Sequence, residues 1–383
     1  MQSYPLHSLI EGSWFKLICG ASYQHLPAIR SLALAYSLAG ADCIDVAADP
    51  AVISAAQEGI TAAQKFATGS NPKILPWLMV SINDGEDPHF RKAKFDLTQC
   101  PVDCHQPCVQ VCPASAIDLS SSGVVDSLCY GCGRCLPICP QELITTHSHQ
   151  SSLEEVIPWI ESNLVDAIEI HTQVGHYDDF KRVWQGIYPV IGQLKLLAIS
   201  CTDAPNVSAY LRSLYELISP LPCPLIWQTD GRSMSGDIGK GTTHMAIALA
   251  QKVLKAQLPG YIQLAGGTND YTVAKLKQSN MLRRYNSHQS NSVSGVAYGS
   301  YARAVLSPIL NQLDNSAINE LQLNQFNLIS QLALREKPEH FSRSITNQPM
   351  NQFNLKLEQN STLLEQAVDT ASLLVNQIKK QSI

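Results

Sequence analysis

The sequence has no long hydrophobic run and no excess of positive charge. Its 383 residues carry a formal net charge of −5 at pH 7, and charged residues make up 15%. Binding to nucleic acid or to an anionic membrane surface normally requires a basic patch, so we expect neither partner. No apolar stretch approaches the roughly 20 residues that span a bilayer, and the N-terminus lacks the order of a signal peptide. The sequence therefore predicts a cytoplasmic protein without a transmembrane segment.

Motifs for nucleotide binding are also missing. No G-x-G-x-x-G follows a predicted strand, which disfavours a dinucleotide-binding sheet. The segment Gly239-Lys240-Gly241-Thr242 resembles part of a P-loop. The lysine is not followed by Ser or Thr, however, and the first glycine of G-x-x-x-x-G-K-[ST] is absent. Nucleotide hydrolysis is therefore not supported.

What the chain does contain is clustered cysteine. Eight of its twelve cysteines lie in two runs, CPVDCHQPCVQVCP from Cys100 and LCYGCGRCLPICP from Leu128. In a reducing compartment such clusters favour metal or redox sites over disulfides. The second run is C-x-x-C-x-x-C-x-x-x-C-P, the spacing of bacterial ferredoxins. The first run also ends in C-x-x-x-C-P, but each of its earlier gaps is one residue longer.

The ferredoxin spacing predicts two iron–sulfur clusters with crossed ligands, because the cysteine before the proline binds the other cluster. One cluster would be held by Cys100, Cys104, Cys108 and Cys139. The other would be held by Cys129, Cys132, Cys135 and Cys112. We expect 4Fe-4S clusters, although the longer gaps leave open a 3Fe-4S cluster at the first run. Zinc would not require two successive quartets that each end in Cys-Pro. The other cysteines are expected to be buried core residues: Cys19, Cys43, Cys201 and Cys223.

Around the cysteine runs, short apolar stretches alternate with amphipathic ones. Eight strands are predicted, at 15–20, 42–49, 73–83, 166–173, 194–203, 224–231, 260–267 and 293–300. A helix is predicted after each strand, and this alternation implies parallel pairing. A (β/α)8 TIM-like barrel is the simplest closure for a chain of this size. An open doubly wound sheet is the alternative.

The predicted organisation has four parts. Residues 1–99 form the first part of the barrel and 150–310 the second, with a ferredoxin-like insertion at 100–149 and a helical C-terminal extension at 311–383. The insertion follows the third strand. Loops after strands gather at the end of a barrel where enzymes keep their chemistry, so the clusters should lie at the barrel mouth.

Polar side chains at the predicted strand ends should line that mouth. They are Asp49, Asn83, Asp84, His171, Gln173, His176, Cys201, Thr202, Asp203, Gln228, Thr229 and Asp230. Together they could form a substrate site. For any single one of them, solvation or capping of the next helix is the better explanation.

The last two strands end in glycine turns that could bind phosphate. The candidate residues are Gly266, Gly267, Gly299, Ser300 and Arg303. Backbone N–H groups at such turns bind anions, and loops seven and eight are the usual phosphate site in barrels. Glycine is also common in any tight turn. The glycine-rich loop at 230–245 could close over the mouth with Arg232, Asp237 and Lys240.

Near the C-terminus, one predicted helix has an apolar face formed by Leu363, Leu364, Ala367, Ala371, Leu374 and Ile378. Such a face usually packs on its own domain, and it can also bind a partner. A linker is predicted at 344–354.

In combination, VAADP, the two cysteine runs, QTDGRSMSGDIGKGTTHMA and GVAYGSYAR resemble the LdpA family, the light-dependent period modulators of cyanobacteria. The resemblance covers roughly residues 10–310. It implies an iron–sulfur protein that couples the redox state set by photosynthetic light to the circadian clock. It also implies association with clock input proteins such as the sensor kinase CikA and KaiA. Only the eight cysteines carry over as site residues.

Two functions remain open from the sequence. The first is a redox sensor that exchanges electrons with a quinone or ferredoxin pool. The second is an iron–sulfur oxidoreductase related to dihydroorotate dehydrogenase, with FMN at the mouth and His171 or Cys201 as proton donor. A sensor needs no catalytic acid or base, which fits the lack of a convincing catalytic constellation. We therefore predict no catalytic residue.

Overall fold

The computed structural model describes residues 5–66, 75–112, 114–120, 123–129, 131–148, 153–231, 241–283, 292–333 and 355–380. Two predicted features lie outside these residues: the linker at 344–354, and the closing loop residues Arg232, Asp237 and Lys240.

The first part of the chain alternates helices and strands. It contains α1 (Pro5–Glu11), β1 (Trp14–Gly20), α2 (Leu26–Ala39), β2 (Cys43–Ala47), α3 (Pro50–Lys65) and β3 (Trp77–Asn83). Short elements follow: β4 (Arg91–Lys94), α4 (Pro107–Val111), β5 (Ile117–Asp118), β6 (Gly123–Val124) and β7 (Thr145–Ser148).

Alternation then resumes through the second part. Its elements are α5 (Leu153–Glu161), β8 (Ala167–Thr172), α6 (Tyr177–Ile187), β9 (Leu196–Thr202), α7 (Val207–Ile218), β10 (Leu225–Asp230), α8 (Thr243–Lys255), β11 (Tyr261–Ala265), α9 (Thr272–Gln278), β12 (Gly295–Tyr298), α10 (Ser300–Ala333) and α11 (Ser361–Lys379).

Eight parallel strands close into a barrel in the order β1-β12-β11-β10-β9-β8-β3-β2. The closure is made by β1 and β12, which pair in parallel from Trp14 opposite Gly295. The predicted (β/α)8 barrel is therefore confirmed, and the open sheet is not. These strands are buried along almost their whole length, because helices cover their outer face while side chains fill the interior.

The barrel interior is layered. At its closed end an apolar cluster includes Leu9, Trp14, Met79, Ala198 and Ile226. Leu9 comes from α1, which covers this end. Toward the mouth the inward-facing side chains become polar. A barrel interior of this kind is a packed core and not a pore.

The cysteine-rich segment lies between β3 and the next barrel strand, β8, as an excursion outside the barrel. It contains two small antiparallel sheets, β4 with β7 and β5 with β6. β4 and β7 pair from Arg91 opposite Ser148, on either side of the predicted insertion at 100–149. Four residues without apolar alternation gave no strand signal in the sequence.

The C-terminal helix α11 packs on α2, α10 and β1. Its buried residues are Leu363, Leu364, Ala367, Ala371, Leu374, Val375 and Ile378. The predicted apolar face therefore packs on its own chain. The helix α10 runs on to Ala333, past the predicted start of the extension at 311. Among the described residues, no helix has the length and apolarity that crossing a bilayer requires.

Candidate iron–sulfur centre and barrel mouth

The last cysteine of each run lies near cysteines of the other run. Cys112, from the first run, lies close enough to influence the pKa of Cys132 and Cys135. Burial raises the pKa of the Cys135 thiol to about 12, and Cys132, Cys129 and Cys112 add to the shift.

Cys139, the last cysteine of the second run, lies near cysteines of the first run. The pKa of Cys108 is raised by burial and by the neighbouring Cys139 and Cys104. Burial, Cys104, Cys108 and Cys139 raise the pKa of Cys100. The structure thus forms one group from Cys100, Cys104, Cys108 and Cys139 and another from Cys112, Cys129, Cys132 and Cys135.

Backbone N–H groups point at three of the sulfur atoms. The N–H of Ala93 donates to Cys129 Sγ at 3.3 Å and that of Ala116 to Cys112 Sγ at 3.2 Å. Cys104 Sγ accepts from the N–H of Gln106 at 3.4 Å. Hydrogen bonds to sulfur stabilise thiolates and tune cluster potentials. Donors of this kind fit ligands of a cluster.

A cavity adjoins the group that contains Cys112. It is lined by Cys112, Cys129, Gly131, Cys132, Gly133 and Cys135, together with the apolar Ala93, Ala114, Ala116, Ile117 and Val124 and with Thr146. Gly131 and Gly133 have φ of +72° and +71°, a conformation that side chains disfavour. They let the backbone turn tightly between the cysteines.

The cysteine spacing suits clusters better than single ions. Tetrahedral zinc, with Zn–S bonds near 2.3 Å, requires sulfur atoms about 4 Å apart. Among the described residues, three ligand atoms lie mutually within 4.8 Å only at Asp87, His89 and His171, and at no set of cysteines. The cysteines therefore leave room for a larger inorganic core.

A buried polar layer crosses the barrel beneath the mouth. Lys16 Nζ contacts Glu169 Oε2 and lies 3.0 Å from Asp45 Oδ2, and all three residues are buried. Burial alone would lower the pKa of Lys16, but Asp45 and Glu169 outweigh it and raise the pKa. Gln228 Nε2 donates to Glu169 Oε1 at 2.6 Å. The barrel centre is thus hydrogen-bonded and charged.

Two histidines lie above this layer. His171 Nε2 is 2.9 Å from Glu169 Oε1, and His89 Nε2 is 3.3 Å from Asp230 Oδ2. Burial would lower the pKa of His171, but Asp87 and Glu169 raise it to about 10. The pKa of His89 is also raised, because Asp230 and Asp87 outweigh its burial. Both rings therefore lie in a strongly anionic environment.

The predicted anion-site residues surround one cavity at the mouth, which His89, His171 and Asp230 also line. Its volume is about 60 Å³. Arg303 is already engaged: Nη1 donates to the carbonyls of Ile18 and Cys19 at 2.9 and 2.8 Å, and Nη2 donates to Ser300 Oγ at 3.1 Å. The structure brings Gly266, Gly267, Gly299, Ser300 and Arg303 together. A typical cofactor pocket measures roughly 300 to 1,000 Å³, so this cavity does not fit a flavin ring.

A larger cavity of about 340 Å³ separates the cysteine segment from α2 and α10. Tyr23 and His25 line it on the barrel side and Leu128 and Arg134 on the cysteine side. It also reaches Ser300 and Arg303.

The cysteine segment contacts the barrel through Lys92. Its Nζ donates to Gln24 Oε1 at 2.7 Å and to both the carbonyl and the carboxylate of Asp126, each at 2.8 Å. The N–H of Gln24 donates to the carbonyl of Ser127 at 3.3 Å. Since Ala93 follows Lys92 and donates to Cys129 Sγ, this contact links the barrel to a predicted cluster ligand.

Several polar strand-end residues serve other roles than a substrate site. Asp49 caps α3, accepting from the N–H of Ala51 and Val52. Asp84 accepts from His176 at 3.1 Å, and Asp203 pairs with Lys252 at 2.5 Å. Cys201 is 3% exposed, and burial with nearby carboxylates raises the pKa of its thiol to about 12. This environment disfavours Cys201 as a proton donor.

The sequence reasoning missed Lys16, Asp45, Asp87, His89 and Glu169. Lys16, Asp45 and Glu169 interrupt otherwise apolar strands, and that interruption was the available signal. Asp87 and His89 follow a strand end and carried no distinctive pattern.

The chain matches two family models. Residues 159–377 match the light dependent period A C-terminal domain, and residues 100–150 match the LdpA Fe-S cluster-binding domain.

Individual proteins are also similar. Light dependent period A of Synechococcus elongatus is 52% identical over 311 residues, covering 81% of this chain and 86% of that protein. Hydrogenase-4 component A of Escherichia coli is 33% identical over 89 residues, covering 21% of this chain and 43% of that protein. Among solved structures, N-acetylneuraminate lyase from Fusobacterium nucleatum overlaps 96% of this chain and 98% of its own, with 11% identity and a TM-score of 0.33. That overlap is too loose to bear on function.

Proposed function

The chain belongs to the light dependent period A family, and we propose on that premise that it is a redox sensor for the circadian clock. It is an iron–sulfur protein of that family. In our proposal its clusters gain or lose electrons as light changes the cell's redox state. The changed charge then alters how the chain contacts clock proteins.

The observation that carries this proposal is the exchange of Cys112 and Cys139 between the two cysteine groups. It supports two clusters with crossed ligands, as in two-cluster ferredoxins. We propose 4Fe-4S clusters, with 3Fe-4S at the first run as the variant that its longer gaps allow. Two neighbouring clusters suit electron transfer from a quinone or ferredoxin pool.

The contact between the cysteine segment and the barrel supports a route for the signal. Lys92 is 4% exposed and donates to Gln24, in the barrel, and to Asp126, which lies three residues before Cys129. At such a buried site, solvent and salt only weakly screen the negative charge that an added electron brings to a cluster. The charge change therefore acts on the Lys92 hydrogen bonds, and through Gln24 on the loop after β1.

We propose the sensor kinase CikA and KaiA as the clock partners and the cytoplasm as the location. We further propose that residues 100–149 act as a ferredoxin-like insertion between barrel parts 1–99 and 150–310, with 311–383 as an extension. These assignments follow the family resemblance and the cysteine spacing.

The test is a binding experiment at controlled redox state. The protein is isolated without oxygen, oxidised or reduced stepwise, and its affinity for CikA and KaiA is measured at each potential. We expect affinity to change at the potential at which the cluster EPR signals change. Cys129→Ser should abolish the dependence, while Cys223→Ser, outside the cysteine runs, should keep it. Affinity that is independent of potential in the wild type would contradict the proposal.

An iron–sulfur flavoenzyme is the second candidate. The observation in its favour is the gathering of Gly266, Gly267, Gly299, Ser300 and Arg303 at the mouth. A cavity of about 340 Å³ shares Ser300 and Arg303 and reaches Leu128 and Arg134 in the cysteine segment. Flavin released on denaturation in a one-to-one ratio with the chain would favour this enzyme. A sensor gives iron and sulfide without flavin.

A further inference from the structure

Three side chains outside the cysteine segment converge at the barrel mouth. The ligand atoms of Asp87, His89 and His171 all lie within 4.8 Å of one another. His89 Nδ1 is 2.9 Å and His171 Nδ1 is 3.8 Å from the Asp87 carboxylate. Two imidazole nitrogens and one carboxylate facing a common point are the donor set that binds divalent transition ions with open positions.

Each histidine has a carboxylate on its other ring nitrogen. Asp230 Oδ2 lies 3.3 Å from His89 Nε2, and Glu169 Oε1 lies 2.9 Å from His171 Nε2. A carboxylate that accepts the Nε2 proton directs the lone pair of Nδ1 outward and makes it a stronger ligand. The same arrangement on both rings leaves Nδ1 of each histidine facing Asp87.

The charges around the cavity also call for a cation. Among the described residues, the four carboxylates Asp45, Asp87, Glu169 and Asp230 stand against two permanently cationic side chains, Lys16 and Arg303, so the balance comes either from protonated His89 and His171 or from a bound cation. Buried charge is costly unless it is paired or bound to a metal. One divalent ion supplies the two positive charges without requiring protonated imidazoles.

The three candidate ligands are held in place by their neighbours. Phe90 is fully buried and packs edge-on against the His171 ring, with centroids 5.2 Å apart. The Asp87 carboxylate also accepts the N–H of His89 at 2.7 Å. Both histidines line the mouth cavity. A bound ion would therefore have three protein ligands, and water or a small ligand would complete its coordination.

We propose that Asp87, His89 and His171 bind one divalent first-row transition ion of the Zn²⁺ or Fe²⁺ type, separate from the iron–sulfur clusters. Asp230 and Glu169 orient the two histidines. This ion site does not depend on the sensor function, because its ligands include none of the cysteines.

Titration calorimetry with Zn²⁺ on the anaerobic, cluster-loaded full chain tests the site. We expect one Zn²⁺ per chain in addition to cluster iron, with iron and sulfide content unchanged after the titration. His89→Gln and His171→Gln should weaken binding by more than about 100-fold. Asp230→Asn, which acts through His89, should weaken it by about 10- to 100-fold.

The matched control is His176→Gln. His176 lies at the same end of the barrel and pairs with Asp84, not with any of the three ligands, so this variant should bind Zn²⁺ like the wild type. Iron and sulfide analysis with circular dichroism shows whether each variant keeps its clusters and fold. If a histidine variant loses either, Asp230→Asn replaces it as the test of the site. No Zn²⁺ binding by the intact wild type, or equal losses in His176→Gln and His171→Gln, would overturn the site.

Discussion

Lys379, in the last turn of α11, donates to both carboxylate oxygens of Asp42, at 2.6 and 2.5 Å. Asp42 directly precedes β2 and also accepts the backbone N–H of Phe15, in β1, at 2.8 Å. One buried carboxylate thus joins the C-terminal helix to the first two barrel strands. The helix is part of the barrel's own packing.

We predict that Lys379→Met lowers the free energy of unfolding by about 2 kcal/mol. Removing one partner of a buried pair leaves a charge without compensation, which costs about 3–5 kcal/mol when both are fully buried. The Lys379 side chain is 17% exposed, so the expected loss is smaller. Anaerobic urea unfolding followed by circular dichroism measures it. Lys380→Met, at the exposed neighbouring residue, should leave the free energy of unfolding almost unchanged. Equal losses in the two variants would show that the Lys379–Asp42 pair is not the cause.

The proposed crossing of ligands between the two runs gives a second prediction. Cys139→Ser should damage the cluster that contains Cys100, Cys104 and Cys108, because its thiol lies in that group. Cys112→Ser should instead damage the cluster of Cys129, Cys132 and Cys135. Iron content and EPR spectra of the two variants, with Cys223→Ser as control, distinguish the clusters. If Cys139→Ser altered only the cluster of its own run, the ligands would not be crossed.

The barrel could be predicted because its signals are local. Each strand is a short apolar run, and helix ends carry their own marks. Gly40 ends α2 with φ of +94°, and Pro50 starts α3 behind the capping Asp49. The cysteine spacing is equally local. It encodes the exchange of the last cysteines without any knowledge of the surrounding fold.

The pairing of polar side chains at the mouth could not be predicted, because these contacts join distant parts of the chain. Lys16 and Glu169 are 153 residues apart in sequence and meet only once the barrel closes. His89 lies in the excursion after β3, yet it contacts Asp230 at the end of β10. No periodicity within one segment specifies such pairs. They follow from which strands face each other across the interior.

The buried Lys16 gives a third prediction. Lys16→Met should destabilise the protein by about 3–5 kcal/mol, since it leaves the buried Asp45 and Glu169 without their cation. Adding Glu169→Gln to Lys16→Met should recover part of the loss, because one uncompensated charge is then removed. Urea unfolding of both variants and of Glu169→Gln alone gives the coupling. Additive losses in the double variant would mean that the two residues do not act as a pair.

The contact between Arg30 and Glu358 gives a prediction for pH. Glu358 lies just before α11. Arg30, in α2, donates to its two carboxylate oxygens through Nη1 and Nη2, at 2.8 and 2.5 Å. Burial would raise the pKa of Glu358, but Arg30 outweighs it and lowers the pKa below its ordinary value of 4.5. At a pH between the Glu358 pKa of the folded chain and that of the unfolded chain, the unfolded chain binds more protons than the folded one. Stability from this pair is therefore complete above about pH 4.5 and is lost as pH falls through the folded pKa.

We expect Glu358→Gln to lower the free energy of unfolding by about 1 kcal/mol at pH 7, as for a well-formed but partly exposed ion pair. The difference from the wild type should stay constant down to about pH 5 and shrink below it. Glu58→Gln is the matched control, because Glu58 contacts the same guanidinium at 3.3 Å from a side chain that is 56% exposed. It should change stability little at any pH. Because each variant is compared with the wild type at the same pH, acid damage to the clusters affects both and cancels. If the difference in the free energy of unfolding between Glu358→Gln and the wild type grew as the pH fell, Arg30 would not be holding Glu358 as a carboxylate.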